Sequence, residues 1–157
     1  MDKILDRKIL KDKLNTLRRE GKKIAFTNGC FDILHYGHVS YLQAAKNKGR
    51  ILIVGLNSDE SVRRLKGEGR PINNELNRAG VLAGLACVDF VVIFGEDTPY
   101  QLIAAVKPDI LIKGEDWKGK EIVGSDIVRQ NGGKVELVHY VDGLSTTRIV
   151  EKIKGRG

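Results

Sequence analysis

The sequence predicts an α/β domain built on a doubly wound, five-stranded parallel sheet with helices on both faces. Three observations carry this. Five short apolar runs alternate with helix-like segments, and parallel neighbours need crossover connections of that kind. One of those runs, Ile51-Leu52-Ile53-Val54-Gly55-Leu56, is unbroken, as expected for a strand covered on both faces. The length of 157 residues and the 41% hydrophobic content suit one domain with its own core. The whole chain, 1–157, is read as that domain, with 1–23 as a basic helical segment packed on it.

The elements follow in order. Arg7 to Glu20 has Ile9, Leu10, Leu14 and Leu17 at helical spacing, and Gly21 stops it. Ile24 to Thr27 is a strand ended by Asn28-Gly29. Val39 to Lys48 is a helix, its first turn reaching back toward His35, with Gly49 as its stop. The strand 51–56 follows, and Asn57-Ser58 caps a helix through Leu65. After the loop Lys66 to Pro71, Asn74 to Ala86 is a helix and Phe90 to Phe94 a strand. Thr98-Pro99 opens a helix to Lys107, with proline where a helical N–H has no partner. Ile110 to Ile112 is a strand, Gly124 to Gln130 a helix, Val135 to Val138 the last strand and Ser145 to Lys154 the last helix.

The formal charge is +7, which invites a nucleic-acid reading. Its distribution argues against one. Residues 1–23 hold nine basic and four acidic side chains, residues 148–157 four basic and one acidic, and the middle is near neutral. Neither basic end interleaves aromatics, so solvated helix faces explain them and no nucleic-acid partner is expected. The charged start and the lack of a long apolar run predict no signal peptide and no membrane partner. Cys30 and Cys87 offer neither a metal spacing nor a disulfide framework, which suits the cytoplasm.

The chemistry concentrates after the first strand. The loop Thr27-Asn28-Gly29-Cys30-Phe31-Asp32-Ile33-Leu34-His35-Tyr36-Gly37-His38 packs glycines, a carboxylate and two of the chain's three histidines between a strand and a helix. His35 and His38 share one face of a first helical turn, where free N–H groups and the dipole favour an anion. Gly37 clears a side chain where a phosphate would come close. The bland alternative is a capped helix start with two surface histidines. Two histidines are too few for a zinc site. The chain has neither GxGxxG nor GxxxxGK[ST].

That loop resembles the signature of the HxGH nucleotidyltransferase superfamily, whose fold is Rossmann-like. Gly143-Leu144-Ser145-Thr146-Thr147 resembles its late Ser-Thr motif, and Lys113-Gly114-Glu115-Asp116-Trp117 is a third match. Leu65 to Asn73 and Glu96-Asp97-Thr98-Pro99 are especially similar to the adenylyltransferase domains of ADP-heptose synthases, without the sugar-kinase part often fused ahead of them. The resemblance runs from about residue 4 to 154. One departure concerns a neighbouring family. Glycerol-3-phosphate cytidylyltransferases carry Arg-Thr-Glu where this chain has Tyr140-Val141-Asp142, which weakens a CTP-dependent reading without establishing adenine.

The resemblance implies AMP transfer from ATP to D-glycero-β-D-manno-heptose 1-phosphate, giving ADP-heptose and pyrophosphate for lipopolysaccharide core synthesis. It implies Mg²⁺ entering with ATP, no dedicated metal site on the protein, and a homodimer. A glycerol-3-phosphate-type cytidylyltransferase, or a non-catalytic nucleotide- or RNA-binding module, are the alternatives. His35, His38 and Lys66 are the expected catalytic groups. Thr27, Asn28, Gly29, Cys30, Phe31, Gly37, Lys113, Gly114, Asp116, Ser145, Thr146 and Thr147 are expected at the nucleotide. Asp32, Arg70 and Trp117 are expected at the sugar phosphate. Some of these have plain structural readings: Asp32 and Ser145 as helix caps, Lys66 and Arg70 as surface loop, Trp117 as core cover. His139 and Cys87 are read as structural.

Overall fold

The computed structural model describes residues 2–47 and 49–155. Its strands are β1 (Ile24–Gly29), β2 (Ile51–Asn57), β3 (Phe90–Phe94), β4 (Ile110–Gly114) and β5 (Lys134–Val138). They form one sheet in the order β3-β2-β1-β4-β5, every neighbouring pair parallel. The helices are α1 (Arg7–Arg19), α2 (Tyr36–Lys46), α3 (Asp59–Lys66), α4 (Glu75–Ala83), α5 (Tyr100–Val106), α6 (Ser125–Gln130) and α7 (Thr146–Ile153).

Alternate strand residues feed two separate cores, as period-two side chains must in a sheet covered on both sides. Ala25, Leu52, Val54, Val91 and Ile112 pack with Tyr41 and Leu42 of α2 and Ala79 and Leu82 of α4. Phe26, Ile53, Val92 and Leu111 pack with Leu10 and Leu14 of α1, Leu102 and Ile103 of α5, and Val128 of α6. The order of strands reverses between β1 and β4, so the crevice at their carboxyl ends is the expected ligand position.

The basic first segment is tied to this body. Asp6 caps α1 by accepting from the Ile9 N–H at 2.8 Å. The Val91 N–H donates to the Lys3 carbonyl, and Arg18 donates to the Val106 and Lys107 carbonyls at the end of α5. A cation there also meets the negative end of that helix.

Several expected boundaries shift. Ile9 is 48% exposed, because the buried stripe of α1 is set by Leu10 and Leu14. α2 starts at Tyr36, three residues earlier than Val39, with His35 as N-cap. The expected end of that helix, Lys48, lies outside the described residues. α4 stops at Ala83, not Ala86, because Gly84 closes it and a turn at Leu85 leads to Val88. Pro99 is the N-cap of α5 and not its first turn; its carbonyl still accepts the first helical bond, from Ile103. β1 and β4 each run two residues longer than expected. Lys113 and Gly114 therefore belong to a strand paired with Leu137 and Val138.

Candidate active site

The two histidines meet at the turn between β1 and α2. His35, as N-cap, is extended and makes no side-chain cap bond, so its ring is free of the usual capping work. Its carbonyl accepts from the His38 N–H at 3.0 Å, which closes the first turn. The rings of His35 and His38 stack with centroids 3.9 Å apart and planes 22° from parallel. Phe31 meets His38 edge-on at 5.3 Å. Phe31 takes a left-handed backbone (φ 44°), and Gly29 leaves the room its ring needs: a Cβ there would lie 2.9 Å from Phe31 Cε2. The space that a side chain on Gly37 would take is filled by protein. A Cβ on Gly37 would stand 2.9 Å from His35 Cε1 and 3.4 Å from Leu144 Cβ. The glycine lets the His35 ring fold over the helix start.

A prediction follows for Gly37→Ala. The atom it strikes is a ring on a rotatable side chain, so the fold adjusts cheaply while the stacked pair separates. Turnover should fall by about 10-fold or more, with melting nearly unchanged, because misplacing a reacting group costs rate. Steady-state kinetics beside a thermal melt reads both.

His35 Nδ1, His35 Nε2 and His38 Nδ1 are buried and have no hydrogen-bond partner. Burying a polar atom without a partner is costly, so such atoms mark a place prepared for a ligand. Burial, reinforced by the neighbouring His35, lowers the His38 pKa from 6.5 to about 4, and burial also lowers that of His35. Both rings are thus neutral at pH 7 in the free protein. Each then offers one N–H donor and one acceptor nitrogen.

The shift carries a stability consequence. Between pH 6.5 and about 4 the unfolded chain holds a proton on His38 that the native protein lacks. Native stability therefore rises with pH through that window and falls as pH drops across it, by at most about 3 kcal/mol from this ring. Urea unfolding at pH 7 and pH 4.5 should show a larger loss for the wild type than for His38→Gln. Equal losses would contradict the shift.

β4 supplies the other half of the site. Lys113 Nζ donates to Asn28 Oδ1 at 3.0 Å and lies 5.1 Å above the Trp117 ring. Burial lowers the Lys113 pKa against the opposing pull of Asp116. Gly114 allows the turn over Glu115–Trp117 to fold back, since a Cβ there would lie 2.6 Å from Asp116 Oδ1. Trp117 is 37% exposed and so stands at a rim, with Lys120 also on its ring at 5.8 Å. A cleft of about 370 Å³ takes its lining from Asn28 to Phe31, from His38 and Lys66, and from Lys113, Gly114, Asp116 and Trp117.

Other expected residues sit differently. Thr27 is fully buried and outside that lining; its hydroxyl pairs with Tyr41 OH at 2.8 Å, which in turn donates to the Ile112 carbonyl. Asp32 does not cap α2, since His35 holds that position. Its carboxylate accepts from Arg70 Nε at 3.2 Å, the Ile72 N–H at 2.7 Å and the Asn73 N–H at 2.8 Å. Both oxygens are thereby committed to the 70–73 loop, and Arg70 is drawn to Asp32, away from the cleft lining. Ser145 caps α7 by accepting from the Arg148 N–H. Thr146 Oγ1 donates to the Ile33 carbonyl at 3.1 Å, which ties the start of α7 to the histidine turn. Thr147 is exposed. A second pocket of about 520 Å³ adjoins the cleft through Asp116 and Tyr140 and reaches Leu144, just before α7.

His139 is exposed and pairs with Glu115 at 3.2 Å. Cys30 lines the cleft with its pKa raised by burial, so it stays a thiol and is a poor nucleophile. Among the described residues no group of three or more His, Cys, Asp or Glu side chains could hold a metal ion. The described residues therefore offer no cage for a cation. No described helix is long and apolar enough to cross a membrane. Two residues of the site region escaped sequence reasoning, Tyr41 and Arg78, and Tyr140 entered it only as a departure from a neighbouring family. The one available signal for Arg78 was a charge on the apolar face of α4, beside Ala79 and Leu82.

The profile of the cytidylyltransferase-like family matches residues 26–152. The chain belongs to that family. It is a nucleotidyltransferase of that family. The bifunctional protein HldE of Syntrophotalea carbinolica is 54% identical over 154 residues, covering 98% of this chain and 31% of that protein. The HldE of Campylobacter curvus is 64% identical over 137 residues, covering 87% of this chain and 28% of that protein. The chain thus spans about a third of the curated relatives it matches. Among solved structures, the lipopolysaccharide core biosynthesis protein from Thermoplasma volcanium superposes with a TM-score of 0.61 at 32% identity, over 76% of this chain and 96% of that one. Pantothenate synthetase from Thermus thermophilus, at TM-score 0.65 and 16% identity, covers 98% of this chain and 69% of its own, and shares the fold.

Proposed function

We propose that this nucleotidyltransferase transfers AMP from ATP to D-glycero-β-D-manno-heptose 1-phosphate, releasing pyrophosphate and forming ADP-heptose for lipopolysaccharide core synthesis. The observation that carries the transfer chemistry is the stacked, unpartnered His35–His38 pair at a helix start. The sugar assignment draws on the HldE relatives and on the likeness of residues 65–73 and 96–99 to ADP-heptose synthase domains.

The chemistry needs no covalent enzyme intermediate. A phosphate monoester has its second pKa near 6 and is largely dianionic at neutral pH. One of its oxygens forms a bond to the α-phosphorus as the bond from that phosphorus to the bridging oxygen breaks. The electron pair leaves with pyrophosphate. No strong base is required, so the residues supply position and charge stabilisation.

His35 and His38 donate N–H bonds to phosphate oxygens as negative charge moves toward the leaving group. A neighbouring polyanion favours the protonated rings and raises their pKa values, which strengthens those bonds as ATP arrives. Lys66 adds positive charge at the cleft, and Lys113, Asp116 and Trp117 border the nucleotide. The start of α7, held to the histidine turn by Thr146, directs free N–H groups toward the β- and γ-phosphates. Asp32 fixes the 70–73 loop beside the site, with Arg70 held on its carboxylate. Mg²⁺ carried by the triphosphate would neutralise part of its charge.

Pyrophosphate release is the test. It should require both ATP and the heptose 1-phosphate, with ADP-heptose identified by mass. Release with neither acceptor dependence nor that product would overturn the proposal.

A further inference from the structure

Arg78 is the most deeply buried cation among the described residues, with 0% side-chain exposure, and the transfer chemistry above gives it no role. Its guanidinium joins four separate pieces of chain. Nη1 donates to the Cys30 carbonyl at 2.7 Å and to the Asn57 carbonyl at 2.9 Å. Nη2 donates to Asp59 Oδ1 at 2.8 Å, and Nε to the Asn73 carbonyl at 2.9 Å. These partners lie just past β1, at the end of β2, at the start of α3, and in the loop bound by Asp32. Four acceptors around one planar fork fix each of them in direction as well as distance.

The Cys30 carbonyl is the consequential partner. The peptide joining Cys30 to Phe31 is trans, so the Phe31 N–H points opposite to the carbonyl that Arg78 holds. Phe31 also has the left-handed backbone that turns the chain here, and Cys30 and Phe31 both line the cleft. Without the guanidinium, a buried carbonyl would lose its donor and the peptide would be free to rotate toward another.

We propose that Arg78 is a positioning residue: by gripping the Cys30 carbonyl it aims the Phe31 N–H at the phosphate that reacts beside His38. This rests on the reading that the cleft receives a nucleoside triphosphate. Arg78 itself touches no substrate. It acts through a peptide plane, and it couples that plane to Asn73 and hence to the Asp32–Arg70 loop.

The test compares wild type with Arg78→Lys, which keeps a positive charge but cannot serve four acceptors. Two readouts are taken: steady-state kinetics, and the ¹⁵N–¹H resonance of Phe31 during titration with ATP alone. The proposal expects kcat to fall about 30- to 100-fold with the KM for ATP changed less than about threefold, as for loss of a transition-state donor. It expects the Phe31 resonance to shift with ATP in wild type and to respond little in the variant. If Arg78→Lys does not fold, Asp59→Asn loosens the same fork from its partly exposed side, and a 3- to 10-fold fall in kcat with a weakened Phe31 response is expected. Wild-type kcat and Phe31 response in a folded variant would overturn the proposal. So would a raised KM with the Phe31 response intact, which is the pattern of a merely structural role. A wild type without turnover but with the ATP-induced Phe31 shift would overturn the function proposed above, and the variant's Phe31 response would still decide the role of Arg78.

Discussion

His38→Ala and His35→Ala each lower turnover at least ~100-fold, the scale of losing one donor aimed at developing charge. The double variant falls little further than either single one, because stacked rings serving one transition state act as a unit. Stability should move little. Three of the ring nitrogens are buried without partners, so alanine removes unmet polar groups along with ring packing. The native state should change by no more than about 1 kcal/mol in either direction, as is usual for residues kept for function. Kinetics and urea unfolding on the same preparations separate the two effects. Turnover within a few-fold of wild type in both single variants would contradict the role given to the pair.

Asp32→Asn shows the opposite profile, with a large loss of stability. The carboxylate side chain is fully buried and accepts from three donors, Arg70 Nε and the Ile72 and Asn73 N–H groups. An amide replaces one acceptor oxygen with an NH₂ that faces a donor. It also leaves a largely buried guanidinium without its charge partner. Such a break costs about 2–4 kcal/mol. Loosening the 70–73 loop also frees Arg70 and slackens Asn73, one of the four acceptors of Arg78. Turnover should drop about 10-fold or more on top of the stability loss. A unchanged urea midpoint would show that the loop is held by something else.

The sheet was legible because its strands are short, apolar and separated by helix signals. Ile51 to Leu56 could hardly be anything but a central strand. The histidine turn was legible for a local reason: His35, Gly37 and His38 lie within four residues, and a helix start sets their relation. What the sequence hid is what depends on distant partners. Nothing near Asp32 indicates that residues 70, 72 and 73 will surround its carboxylate. Nothing near Thr27 indicates that a tyrosine fourteen residues on will take its hydroxyl. Nothing near Gly37 indicates that the ring of His35 will fill the space its missing side chain leaves. Arg78 was passed over because a charge in a helix usually faces water, and only the tertiary fold gathers its four acceptors. Strand ends were underestimated for the same reason. Lys113 and Gly114 do not look like strand residues, yet ladder partners in β5 keep them extended.

The net charge of +7 likewise gains meaning only in three dimensions. α1 places most of its lysines and arginines in solvent, while Arg18 secures the end of α5. The phosphate handling proposed above rests on a few placed groups: two histidines, Lys66, Lys113 and a helix start.

The central claim is the transfer of AMP to a sugar 1-phosphate, and a matrix of substrates tests it most directly. Pyrophosphate release is measured with each of the four nucleoside triphosphates against D-glycero-β-D-manno-heptose 1-phosphate and against glycerol 3-phosphate. Turnover is expected with ATP and the heptose phosphate, lowered at least ~100-fold in the His35→Ala, His38→Ala double variant. Turnover confined to CTP with glycerol 3-phosphate would contradict it.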